Sequence, residues 1–177
     1  MKETKASRWL LLIALAVSFY NVGLIWLTQV SSYRLWPYVG PAEFEAYHGA
    51  WWRSIQPVLI LAGGLAVLSP LAMPRWRPPR VPLWAVWLGI VLQATVWALT
   101  AVFWAPLQAR LVQVWLPDGT LNPDFDLLLN THWMRVALVT GYGALLFWMA
   151  ARSFLSDEED AMAVTAEAAI GASSTDE

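Results

Sequence analysis

Side chains from four separated segments could do chemistry together at one level of a membrane: Gln29, Tyr33, Glu45, His48, Trp52, Trp104, Gln108, His132 and Arg135. They combine a cation, a carboxylate, imidazoles, amides and aromatic rings. That mixture suits a site gripping a small amphipathic or lipid-like molecule between aromatic walls, with Arg135 and His48 meeting its polar end. His48 and His132 are the only histidines in the chain. Together with Glu45 they could ligate a divalent metal, and as a pair they could ligate a haem iron. No His-x-x-x-His spacing supports such a site, so metal or haem chemistry is the alternative reading and no cofactor is identified. The absence of cysteine removes disulfides, thiolate metal sites and thiol nucleophiles together. There is no P-loop, no Gly-x-Ser-x-Gly, no His-Glu-x-x-His and no basic stripe for nucleic acid.

The elements that must position these residues can be read from the distribution of charge. Residues 10–33, 54–74, 81–109 and 136–151 carry no formal charge and are mostly Leu, Ala, Val, Ile and Trp. About 20 such residues at 1.5 Å rise cross a hydrocarbon core. Hydrophobic residues make up 58% of the chain and charged ones 14%, too apolar a balance for a water-soluble domain of this length. The expectation is an all-α, four-helix transmembrane bundle, with spans near residues 9–29, 55–73, 81–104 and 132–151. Helix two should begin early, at Pro41 after Gly40, because proline and the acid Glu43 are both favoured in a first turn. Helix three should continue past Pro106 to about Trp115, kinked where the proline removes a donor. Both would extend on the outer side. The bundle would occupy residues 1–155. Residues 156–177 are acidic, Ala-rich and free of aromatics, and read as a disordered cytoplasmic tail.

Orientation rests on arginine and lysine in short connections. Lys2, Lys5 and Arg8, then Arg75, Arg77 and Arg80, mark the inner side, whereas the other two connections are neutral to acidic. Both termini are then cytoplasmic in a multi-pass protein of the cell inner membrane. With this topology the candidate residues lie at the outer boundary, and the inner boundary has no comparable set. The mid-span residues Ser18, Asn21, Gln93 and Thr95 are read as hydrogen-bonding between helices. Of the 13 tryptophans, Trp9, Trp36, Trp51, Trp52, Trp76, Trp84, Trp115, Trp133 and Trp148 fall at predicted boundaries, where indoles anchor at headgroup level. Trp97 and Trp104 share a polar stripe with Gln93, Thr100 and Gln108 and are read as cavity-lining. Arg135 precedes an uncharged run shorter than the ~20 residues a span needs, which sinks it about one turn below the outer boundary. There it either snorkels to headgroups or is neutralised by a buried carboxylate, with Glu45 as the candidate internal partner, or by a ligand anion.

The blocks Thr28-Gln29-Val30 with Ser32-Tyr33, Phe44-Glu45-Ala46-Tyr47-His48, Ala105-Pro106-Leu107-Gln108-Ala109-Arg110-Leu111 and Thr131-His132-Trp133-Met134-Arg135 resemble an uncharacterised family of small bacterial four-span membrane proteins. The similarity covers roughly residues 10–150, and its matching positions are Gln29, Tyr33, Tyr47, His48, Pro106, Trp133 and Arg135. This chain has Ser32, Gln108 and His132 where the resemblance implies His, His and Asn. A more distant likeness is to the anthrone-oxygenase-like domain family, which implies the same four-span fold. Two functional classes remain open at this point. One is a small-molecule or lipid site at the outer boundary, and the other is a non-catalytic scaffold that stabilises a membrane protein partner. A transporter is disfavoured because no span carries a paired Gly/Pro break at mid-depth.

Overall fold

Each uncharged stretch falls in a separate long helix. The computed structural model describes residues 5–173, with side chains through residue 154. It is an all-α four-helix bundle, built from α1 (Lys5–Tyr38), α2 (Pro41–Trp76), α3 (Leu83–Arg110) and α4 (Pro123–Ser173). Each helix contains an apolar window long enough to cross a membrane, and at most 44% of any window is buried inside the bundle. The apolar remainder, including Phe19, Leu61, Leu68, Val91 and Phe147, lies on the outside. Only lipid is a good solvent for such a surface, so the chain is a multi-pass membrane protein.

Local chemistry sets the helix ends. Gly40 caps α2, Pro41 opens it and Glu43 lies in its first turn, as the sequence predicts. At the start of α4 the Asn122 side-chain oxygen accepts the Asp124 N–H at 3.0 Å, and Asp124 and Asp126 complement the helix dipole. The expectation that α3 reaches Trp115 needs correction. The helix stops at Arg110 because Leu111 turns to extended backbone. Trp115 instead bridges to Leu121 across a tight turn, where Gly119 has φ +81°, and its indole donates to the Pro37 carbonyl at 2.9 Å. Past Ser156 the backbone is helical to Ser173, in keeping with the high helix propensity of alanine and glutamate. The remaining four tail residues and Lys2 lie outside the described residues.

Two wide, π-helical turns interrupt the regular helices, Thr28–Ser32 in α1 and Thr100–Trp104 in α3. Each adds a residue to a turn and rotates the rest of its helix by about 100° relative to an unbroken one. In α1 the buried face passes from Ser18, Asn21, Ile25 and Thr28 to Gln29, Tyr33 and Trp36, whereas unbroken spacing would have turned Ser32 inward. In α3 the wide turn ends immediately before Ala105 and Pro106, and the Ala105 N–H bonds the Thr100 carbonyl. The proline's missing donor is absorbed there.

The interior is layered. Near the termini and the α2–α3 connection lies an apolar cluster around Leu11, Ala66, Met73, Tyr142 and Leu146. A thin middle layer consists of Ile25, Val96, Val136 and Val139. At the opposite, distal end, Tyr33, Trp36, Phe44, Trp104, Phe125 and Leu128 form an aromatic cap. Small residues let the helices approach. A Cβ on Gly63 would stand 2.9 Å from the Trp97 ring, and one on Gly89 would stand 3.2 Å from Tyr142.

Candidate functional site

The polar residues gather between the middle layer and the aromatic cap, level with both wide turns. Gln29, brought inward by the first turn, joins α1 to α4. Its side-chain N–H donates to the Leu129 carbonyl at 3.1 Å, and its oxygen lies 2.8 Å from His132 Nδ1. A carbonyl only accepts, so the amide orientation is fixed, and His132 Nδ1 must be the donor to the Gln29 oxygen. Neutral His132 then carries a bare lone pair on Nε2, and that atom is buried without a hydrogen bond.

A second relay runs from α2 through α3 to α1. His48 Nε2 donates to the Gln108 oxygen at 3.0 Å, and Gln108 donates from its nitrogen to the Tyr33 hydroxyl at 2.5 Å. The Tyr33 oxygen is thereby an acceptor whose own proton is free to point elsewhere. The Tyr33 and His132 rings meet edge to face at 4.9 Å, which places the two relays side by side. Trp36 and Trp51 wall the group from the distal side, with ring centroids 5.0 Å apart.

Arg135 lies at the base. Its side chain is 9% exposed, its guanidinium lies 4.3 Å from the Trp104 ring centre, and Nη2 donates to the Thr100 hydroxyl at 3.2 Å. Its Nε is buried with no hydrogen bond. The arginine does not snorkel, and the sequence-predicted Glu45 partner must be corrected: Glu45 is exposed on the outside of α2. Its neighbours Phe44 and His48 occupy the inward face of that helix, and a residue one step along points about 100° away. No ion pair to Arg135 is present among the described residues.

The groups enclose a cavity of about 50 Å³ lined by Tyr33, Trp52, Trp104, Gln108, His132 and Arg135, with Thr28, Trp51 and Thr100 among the other walls. All the sequence-predicted site residues except Glu45 thus lie in or against one cluster. His48, Glu45 and His132 do not come together as a metal triad, and no group of three or more His, Cys, Asp or Glu side chains does so among the described residues. Two expectations about aromatic and mid-span residues also change. Trp36 is fully buried in the cap and Trp51 is packed against it, so neither is a headgroup anchor. Thr95 bonds to the Val91 carbonyl of its own helix. Ser18 Oγ and Gln93 Nε2 are buried with no hydrogen bond, so they do not link helices as expected.

The sequence reading missed Thr100 as the arginine's oxygen partner, and it missed Trp36 and Trp51 as walls. Thr100 stood in the predicted α3 stripe. Trp36 gave no inward signal, because the wide turn in α1 sets its direction. Comparison with protein-family models, curated proteins and solved structures yields no match, so the geometry carries the functional argument.

Proposed function

We propose that this membrane protein binds the acidic polar end of a small amphipathic or lipid-like molecule in the Arg135–His132–Tyr33 cavity. The observation that carries the reading is a guanidinium buried within a membrane span with no carboxylate beside it. Arginine stays protonated, and a charge within a span costs up to about 3 kcal/mol on insertion scales unless something neutralises it. An anionic head would do so. The cavity also offers the bare Nε2 of His132 as an acceptor and the Tyr33 hydroxyl as a donor, so a head bearing both an anionic oxygen and an O–H fits best. A volume of about 50 Å³ has room for a few heavy atoms only, at about 10–15 Å³ for each water-sized sphere, so the apolar remainder of the ligand would extend between helices into lipid.

In the orientation favoured by the arginine-rich inner connection, the site lies toward the outer face of the inner membrane, beneath its aromatic cap, and both termini are cytoplasmic. Cysteine placed at Gly119 should then react with an impermeant thiol reagent in intact cells, while cysteine at Pro78 should not. The binding test is native mass spectrometry of the detergent-purified protein. A retained amphipathic acid is expected in the parent chain and in Glu45→Gln, and its loss is expected in Arg135→Met. A ligand-free parent, or retention unchanged in Arg135→Met, overturns the reading.

A further inference from the structure

Arg135 also faces the opposite way, into a second cavity deeper in the membrane. This chamber measures about 70 Å³, and its polar lining is Asn21, Gln93, Thr100 and Arg135. Gly63 and Trp97 close one side, and Ile25, Val96 and Val139 of the middle layer supply apolar wall. Gln93 is 2% exposed and its Nε2 is buried without a hydrogen bond, as is Arg135 Nε. Both unpaired atoms are N–H donors. The Thr100 hydroxyl spends its proton on the Val96 carbonyl at 2.6 Å, which leaves its lone pair to the arginine. No Asp or Glu lines the chamber.

Unpaired donors around a permanent cation, with no carboxylate present, match an anion. Water could satisfy the N–H groups but would leave the charge unbalanced. Size restricts the occupant, since about 70 Å³ holds no more than about five to seven heavy atoms at roughly 10–15 Å³ for each water-sized sphere. The apolar wall favours an anion that loses its hydration readily, because burying a strongly hydrated one costs more. We propose that this chamber is a binding site for a small inorganic monovalent anion of the halide or nitrate class, which acts as the resting counterion of Arg135. The site shares its arginine with the proposed amphiphile site but does not depend on that reading. An acidic ligand entering the upper cavity would compete with the small anion for the same charge.

The test uses the full-length protein purified in detergent and exchanged into sodium gluconate, an anion too large for the chamber. Gluconate is replaced stepwise by bromide at constant ionic strength, and thermal unfolding is followed. A saturable rise in Tm with bromide is expected for the parent chain. Gln93→Leu and Asn21→Leu, both compatible with a membrane helix, should each weaken the apparent bromide affinity at least tenfold while leaving amphiphile retention intact. Two variants are used so that failure of one to fold still leaves the other as a test. A Tm independent of bromide, or a saturable rise unchanged in the variants, overturns the anion site. A ligand-free mass spectrum with an intact bromide response would overturn the amphiphile reading alone.

Discussion

Replacing Arg135 by methionine should lower the stability of the bundle only slightly, although the side chain is 9% exposed and lies within a membrane span. The substitution removes one charge-assisted hydrogen bond to Thr100 at 3.2 Å, worth about 2 kcal/mol. It also removes the contact with the Trp104 ring at 4.3 Å, worth about 2 kcal/mol at a desolvated site. Against these losses, the methionine variant no longer holds a charge at membrane depth, which returns about 3 kcal/mol. Methionine fills most of the same volume, and the Thr100 hydroxyl keeps its bond to the Val96 carbonyl, so no new buried donor is stranded. The expected net change is a loss of about 1 kcal/mol, the difference between these opposing contributions. Equilibrium unfolding in mixed micelles measures it, in gluconate buffer and after removal of co-purified lipid, so that any ligand contribution is excluded. A loss of about 3 kcal/mol or more would refute the reasoning, because costs of that size arise from leaving a buried countercharge without its partner. Glu45→Gln provides the control and should have no effect in either background.

Gln29→Leu should be far more costly than its size implies. It strands the His132 Nδ1 proton, at about 1–3 kcal/mol, and removes a second bond to the Leu129 carbonyl, which keeps its helical partner, at about 1 kcal/mol; the same unfolding assay should register a clear fall in stability. Gly63→Ala should destabilise by about 1–3 kcal/mol, since the new methyl meets the Trp97 ring at 2.9 Å and must displace it; a neutral result would mean that the α2–α3 contact is looser than this distance implies. In the distal turn, the Asp118 carboxylate accepts bonds from the Thr120 hydroxyl and N–H at 2.7 and 2.9 Å, which hold its pKa below the ordinary aspartate value. The turn is therefore fully supported above the unfolded pKa of about 4, and this support is lost as pH falls through the lowered folded value. Carboxyl NMR titration of the parent chain and of Thr120→Val should place the Asp118 midpoint lower in the parent.

The sequence determined the solvent, the number of helices and the level of the site. Long uncharged runs have only one stable environment, and a helix of known rise fixes depth, so Gln29, Tyr33, His48, Gln108, His132 and Arg135 could be assigned to one boundary from four distant segments. The start of α2 was legible for a similar reason, because Gly40, Pro41 and Glu43 act within a single turn. Azimuth around the helices was decided only by tertiary structure. The wide turn at Thr28–Ser32 shifts the inward face of α1 by one residue, from Ser32 to Tyr33, and carries Trp36 into the core. Its placement depends on packing with the neighbouring helices and leaves no mark in the hydrophobic pattern. The partner of Arg135 was decided in the same way. Glu45 and His48 lie within a turn of each other, but only the bundle selects which of them faces inward. With the carboxylate outside, the arginine is left to the Thr100 hydroxyl and the Trp104 ring.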